Sequence, residues 1–427
     1  MKKILALLLA VVMVMSMAAC SKSGTEGGGT TAAAGSTEPK EIKLTVWAPQ
    51  EDQVDENSWL QTQLKKFEAA HPEYKITWEL GVCSEADAST KVTTDVSAAA
   101  DVFMYANDQL GTLIEAEALA KLGGSYLEQV KTDNSQTFVD TVTYTDGGVY
   151  GFPYTANTWF MYYNTDIYTE EDVKSLETMV EKGTVAFPIT NSWYVWSFYS
   201  AAGGTLFGPN GVDAAAGIKL GDKATDVTKY LVNLCANSNF INDADSVGLD
   251  GLKDGSVAAI FSGTWDSAKV LDALTEKDED GNVVRTHMGA AQLPTVTING
   301  ETLQLNAFAG SKAIGVNKQS KNMVAAMQLA AFLSTEDAQL AHYEMRGVIP
   351  AAAKLASNEK VAADAVASAQ ANTMNNTACV QPTISDMSRF WTPAANMGTA
   401  IYNGEVTEAV AAEQTELFEE ALNNTGL

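Results

Sequence analysis

The chain is expected to be an α/β protein of two domains. Three observations carry this expectation. The opening of the folded part alternates strand, helix, strand, helix, strand, which is the pattern of parallel sheets covered by helices. After an export leader and a tether, roughly 385 residues remain, more than one hydrophobic core usually spans. A continuous extended run from Val149 to Asn164 is long enough to cross from one domain to another.

The elements follow in order. Met1-Lys2-Lys3 precedes an apolar run to Met15 and the small residues Ser16-Met17-Ala18-Ala19, ending at Cys20. This is a signal peptide, too short for a comfortable bilayer span. Met17-Ala18-Ala19-Cys20 resembles the bacterial lipobox, so residues 1–19 are expected to be removed and Cys20 to carry lipid that anchors the chain. Residues 20–40 are rich in Gly, Ser, Thr and Ala and read as a flexible tether.

Ile42–Trp47 alternates and is β-rich, Leu60–Ala70 has helical apolar spacing stopped by His71-Pro72, and Tyr74–Leu80 is a second strand. Ala86–Ala100 reads as a helix and Asp101–Tyr105 as a third strand. Ligands of such sheets gather at the carboxyl ends of the strands, here Trp47–Asp52 and Tyr105–Gln109. Val149–Tyr154 and Trp159–Asn164 are extended, with Ala156-Asn157-Thr158 as the crossing. Helices are expected at Asp172–Lys182, Trp193–Ala202, Val227–Asn237, Lys321–Leu333 and Thr335–Met345. Val257–Phe261, Ala291–Pro294 and Ala313–Val316 are extended, and the C-terminal part is mainly helical.

Composition narrows the function. Net charge is -26, which argues against nucleic acid as a partner. Besides Cys20 there are Cys83, Cys235 and Cys379, widely separated and without Cys/His spacing, so no metal site is expected. The three histidines, His71, His287 and His342, pair with no motif, and His71 and His342 read as structural. No nucleophile elbow, phosphate loop or zinc-protease motif is present. With 53 acidic residues, carboxylate pairs are unavoidable and say nothing of glycosidase chemistry. Neither enzymatic activity nor a cofactor is expected.

The eight tryptophans are more informative. Sugars stack their apolar C–H faces on aromatic rings and need planar polar partners for their hydroxyls. Trp78 and Trp196 read as core residues. Trp47, Trp193, Trp265 and Trp391, close to strand ends or small polar residues, are candidate ligand contacts.

Several segments, in order along almost the whole chain, resemble the maltose-binding-protein-like family of extracellular solute-binding proteins that serve ABC importers. They are Leu44–Trp47, Asp101–Gly111, Tyr150–Pro153 followed by Met161–Asn164, Ala201–Gly204, Leu252–Ile260, Gly263-Thr264-Trp265 and Met387–Trp391. The resemblance implies a two-lobed, periplasmic-binding-protein-like (Venus-flytrap) fold with the ligand clasped between lobes. The N-terminal lobe would comprise 41–155 plus 310–357, and the C-terminal lobe 156–309 plus 358–427. By position, Asp108 would bind sugar hydroxyls, Glu51 and Asp52 would sit at the cleft lip and Asn157 near the hinge. Trp193 or Tyr194, Trp265 and Trp391 would stack from the second lobe. Gln109 stands where the maltose receptor has a basic residue, Asn157 where it has an acid and Asp52 where it has a base, implying rewired polar contacts.

The function implied is capture of an oligosaccharide, with maltose, maltodextrin or another α-glucan first, and delivery to the permease subunits of an ABC transporter by a lipid-anchored monomer. The alternatives are a different sugar or polar solute, a surface glycosidase, or a glycan-capturing scaffold without a transporter.

Overall fold

Five parallel or antiparallel strands in a row, ordered Ala378–Val380, Ala307–Val316, Val102–Ala106, Lys40–Ala48 and Tyr74–Val82, form the first sheet of the computed structural model, which describes residues 38–424. Phe152–Asn157 also pairs with Ala307–Val316. The proposed leader, Cys20 and nearly all of the tether lie outside the described residues. Lys40–Ala48 runs parallel to both of its neighbours, with Leu44 opposite Trp78 and Val46 opposite Val102. Its alternation has a physical cause: Ile42, Leu44, Val46 and Ala48 are buried, while Glu41 and Lys43 face water. Val102–Ala106, in the middle of the sheet, is buried at every residue, as a strand covered on both faces must be.

The second sheet is ordered Met288–Ala291, Phe160–Asn164, Ala259–Ser262, Val185–Phe187 and Phe240–Asn242. The last three are mutually parallel, and Phe160–Asn164 runs against both of its neighbours. The fold is therefore α/β, built on two main sheets.

Each lobe has its own core. One gathers Leu44, Phe67, Phe103, Tyr105, Ile314 and Leu329. The other gathers Trp159, Phe187, Trp196, Phe261, Phe390 and Phe418. Burying each such side chain contributes about 1.5–3 kcal/mol. The strand Ala307–Val316 belongs to both: Ala307 and Phe308 lie in the second core, Ala313, Ile314 and Val316 in the first. The run Phe152–Asn164 does the same, with Phe152 and Tyr154 on one side and Trp159 and Met161 on the other. A third crossing passes through Ile349–Ala352, where Thr155 Oγ1 donates to the Ile349 carbonyl at 2.6 Å. Where these two strands lie side by side, Ala156 and Ala309 pack with Met374, and Phe138 and Ala378 lie against them.

The expected helix over Ala86–Ala100 is shorter in the structure. A 3-10 turn at Glu85–Asp87 precedes a helix confined to Ala88–Thr94. Asp95 ends it: its Oδ1 accepts from the backbone N–H of Ser97 at 3.0 Å and of Ala98 at 3.3 Å, a side-chain turn that competes with continued helix. Two hairpins were not anticipated. Thr295–Ile298 pairs with Glu301–Gln304 through Asn299-Gly300, both at positive φ (51° and 79°), the dipeptide such a turn favours. Thr275–Lys277 pairs with Val283–Thr286. Cys83, Cys235 and Cys379 are all free thiols.

The helix Ser388–Tyr402 is pressed against the second lobe at Gly398, where a Cβ would overlap the Ile189 carbonyl oxygen. Gly398→Ala, which by helix propensity alone would stabilise, is therefore expected to destabilise by about 1–3 kcal/mol. Chemical denaturation of the two proteins checks the sign.

Candidate functional site

The carboxyl ends of the parallel strands of both sheets converge on one region. From the first sheet come Pro49–Asp52, Ser84-Glu85 and Asn107-Asp108; from the second come Pro188–Trp193, Asp243 and Gly263–Asp266. Two adjoining hollows mark the place. The larger, of ≈ 510 Å³, is walled by Glu51, Asp52, Glu85, Tyr154, Lys312 and Arg346 on one side and by Thr264, Trp265 and Leu271 on the other. The smaller, of ≈ 220 Å³, lies within the second lobe among Asn191, Tyr194, Asp243, Ser262 and Asp266, and Trp265 lines both.

The first-lobe wall carries two charge clusters, each neutralised internally. Asp52 is buried, and its Oδ1 accepts from His342 Nε2 at 2.8 Å and from Arg346 Nε at 3.2 Å. Burial works against the charge of Asp52, but His342 and Arg346 outweigh it and hold its carboxyl below the ordinary range. His342 is fixed by stacking on Trp59, with ring centroids 4.0 Å apart. Glu85 accepts from the Tyr154 hydroxyl at 2.5 Å and pairs with Lys312 Nζ at 3.3 Å.

The second-lobe wall is aromatic. Trp265 is 44% exposed. Its loop is tied down by Tyr162 OH donating to the Gly263 carbonyl at 3.0 Å and by Ser262 Oγ donating to Asp266 at 2.7 Å. The indole lies against Gly263, where any Cβ would collide with the ring. Trp193 continues this surface, its ring 5.9 Å from that of Trp265 and tilted by 35°. Trp193 Nε1 in turn donates to Gln381 Oε1 at 3.2 Å. Gln381 belongs to the group around the crossing strand: a Cβ on Gly310 would meet the Asn157 carbonyl, Asn107 Oδ1 and Gln381 Oε1.

Asn107 and Asp108 supply unsatisfied polar atoms close to this crossing. Asn107 Oδ1 accepts from the Ser311 N–H at 3.0 Å, but Asn107 Nδ2 and Asp108 Oδ1 are buried without a partner among the described residues. Burial raises the Asp108 carboxyl above its ordinary value. In the smaller hollow burial likewise raises Asp243, with the Gly248 N–H opposing and the nearby Asp266 charge adding to the rise.

The remaining candidates are placed as follows. Glu51 is exposed at the mouth. Asn157 ends its strand beside Gly310, half-buried, and its side chain makes no hydrogen bond among the described residues. Tyr194 is buried but faces the smaller hollow, with its ring against Trp159 at 4.6 Å. Trp47 lies outside both hollows: it sits on the outer face of the first sheet beside Gly81, with Lys91 Nζ 4.2 Å from its ring centre. Gln109 also points elsewhere. Its amide donates to the carbonyls of Glu85 (2.9 Å) and Ala86 (2.5 Å) and accepts from Ser89 N–H, so every strong bond it makes holds the loop that presents Glu85. Trp391 packs edge-on against Phe308 and Phe390 and lines neither hollow.

Glu85, Lys312, Tyr154 and Arg346 are wall residues that sequence reasoning did not single out, and His342, expected to be structural, joins them through its bond to Asp52. They come from four separate segments, and only Arg346, a base closing a helix at the mouth-side Gly347, carries a local signal.

The profile of the bacterial extracellular solute-binding protein family matches residues 62–369. The chain belongs to that family. It is 27% identical over 402 residues to a maltooligosaccharide ABC transporter solute-binding lipoprotein of Streptococcus pneumoniae, with 88% of each chain covered. A structure solved with acarbose is 48% identical and superposes with a TM-score of 0.82, covering 91% of this chain and 100% of the other. The ligand-free maltodextrin-binding protein MalE1 of L. casei BL23 is 26% identical with a TM-score of 0.81, covering 90% of this chain and 100% of the other. This family member thus has the two-lobed fold of its solved relatives.

Because the Asp52 carboxyl titrates below its ordinary value in the fold, its pairing lends stability above the unfolded-state pKa near 4 and loses it as pH falls through the folded value. Asp52→Asn should therefore lower stability at pH 7, and the gap to the unsubstituted protein should narrow by pH 3. Urea unfolding at the two pH values measures both.

Proposed function

We propose that this protein is the extracellular receptor of an ABC importer and captures a neutral α-glucan, a maltooligosaccharide, by closing its lobes over it. The observation that carries this reading is the contrast between the two walls. One bears carboxylates already matched by His342, Arg346 and Lys312, and the other bears an exposed indole continued by a second. Apart from the exposed Glu51 at the mouth, the carboxylates of that wall are internally matched, so it offers hydroxyl-binding groups with little demand for an ion. An indole platform suits the apolar face of a pyranose ring. The maltooligosaccharide receptor and the acarbose-bound structure among its relatives support the same ligand class.

In this reading Trp193 and Trp265 stack the sugar. Glu51, Asp52, Asp108 and Asn157 receive its hydroxyls, Tyr194 borders the second-lobe side, Trp391 braces that side from the core, and Trp47 and Gln109 support the scaffold. The lobes are 41–155 plus 310–357 and 156–309 plus 358–427, hinged where Ala156 meets Ala309. A ligand touching both walls favours the closed form by its differential affinity, and the permease subunits read that form. No bond is made or broken, so the work is binding rather than catalysis. Lipid on Cys20, after removal of residues 1–19, holds a monomeric receptor at the outer face of the membrane through the tether.

Trp265→Ala is expected to weaken maltotriose binding by about tenfold or more, with little change in unfolding midpoint. Trp47→Ala should leave the affinity unaltered. Isothermal titration calorimetry decides: undiminished affinity in Trp265→Ala contradicts the placement of the site. Gly263→Ala, which pushes the indole off its seat, should weaken binding in the same direction.

A further inference from the structure

The second lobe contains another cavity, of ≈ 470 Å³, that shares no lining residue with the two hollows at the cleft. It lies between the strand Met288–Ala291, the base of the Thr295–Gln304 hairpin and the helix Ala365–Asn376. Its floor is apolar, made by Val173, Ala291, Leu293 and Ala369. Its walls carry hydrogen-bonding groups that the protein itself does not use. Tyr163 is 6% exposed, yet its hydroxyl bonds to nothing among the described residues. The hydroxyl itself is not a sealed atom, since water reaches it from the cavity. Burial and the nearby Glu170 charge both raise Tyr163 above its ordinary value, so the hydroxyl stays a donor. Gln292 Oε1 accepts from Asn376 at 3.1 Å, which leaves its amide N–H groups unengaged. The Asn372 amide, the Ser368 hydroxyl and the Glu170 carboxylate, all on exposed residues, have no side-chain partner among the described residues and are open to a ligand from solvent. The wall is held in place by Gln304, whose Nε2 donates to the carbonyls of Leu293 (2.8 Å), Pro294 and Leu305.

A lining that mixes Val173, Ala291, Leu293 and Ala369 with one phenol, two amides, one hydroxyl and one carboxylate is chemically complementary to a neutral ring bearing several hydroxyls. An anion does not fit: the cation at the edge, Lys174, is already paired with Glu171, and Glu170 is unpaired. We propose that this cavity is a second carbohydrate site, remote from the cleft, that takes a single neutral pyranose ring. The ring is either free or the end of an oligosaccharide whose remainder projects into solvent. A site with no lining residue in common with the cleft hollows would hold sugar without entering the closure cycle.

The test uses the protein with Trp193→Ala and Trp265→Ala, which removes the cleft platform, and D-glucose as the probe, read by saturation-transfer difference NMR. Transfer to glucose is expected from this protein, and it should fall about fivefold or more when Asn372→Trp, on the exposed helix face, fills the mouth. Equal transfer with and without Asn372→Trp overturns the proposal, as does no transfer in the cleft-disabled protein. Should Asn372→Trp fail to fold, Tyr163→Phe decides, since it keeps the ring and removes only the hydroxyl: a reduced signal supports the site and an unchanged one overturns it. Maltotriose binding by the unsubstituted protein is a separate readout, and its failure would count against the receptor proposal while leaving this one standing.

Discussion

A single strand, Ala307–Val316, constrains everything else in the molecule. Its first residues are buried in one core and its last in the other, and it pairs with three partners along its length. It belongs to the first sheet only, yet its opening residues Ala307 and Phe308 pack into the second core, so the two lobes cannot fold as strangers. Yet at its midpoint the packing thins to Ala156, Ala309 and Met374, and Gly310 admits the Asn157 backbone and the Asn107 and Gln381 side chains where no Cβ would fit. Tight cores at both ends with small residues between them is what a hinge requires: rigid bodies and a narrow place for backbone rotation. The polar groups that meet at that narrow place are also the ones nearest the cleft, so the strand couples architecture to site.

The cleft follows from the same topology. Parallel strands of both sheets point their carboxyl ends at the gap, and the loops that follow them supply its walls. The walls differ in chemistry because their supports differ. On the first-lobe side, long side chains from distant segments meet and cancel one another's charge, as Asp52 does with His342 and Arg346. On the second-lobe side a short loop over Gly263 leaves no room for anything but the flat face of Trp265. Matched charge opposite an exposed ring is a combination suited to a neutral polyol and poorly suited to an ion.

Much of this was legible in the chain. The alternation of Ile42, Leu44 and Val46, the uninterrupted apolar run Val102–Ala106 and the extended Val149–Asn164 segment are local signals, and each became the strand or crossing it suggested. Trp265 was legible because it follows a strand and a glycine. Asp95 hid the end of its helix, since a turn made by one side chain leaves helical spacing intact on paper. The hairpin at Asn299-Gly300 carried a plain turn signal that went unread. The wall residues Glu85 and Lys312 were not legible, because what gives them a role is a meeting of segments hundreds of residues apart. Gln109 shows the reverse: its position at a strand end suggested a ligand contact, whereas three backbone groups of a neighbouring loop engage it instead.

The central claim is that two rigid lobes close over the sugar about the Ala156–Ala309 junction. Small-angle X-ray scattering of the protein with and without saturating maltotriose tests it most directly. The account predicts a smaller radius of gyration with sugar, changing in step with occupancy followed by tryptophan fluorescence. Full occupancy with an unchanged radius of gyration would contradict it.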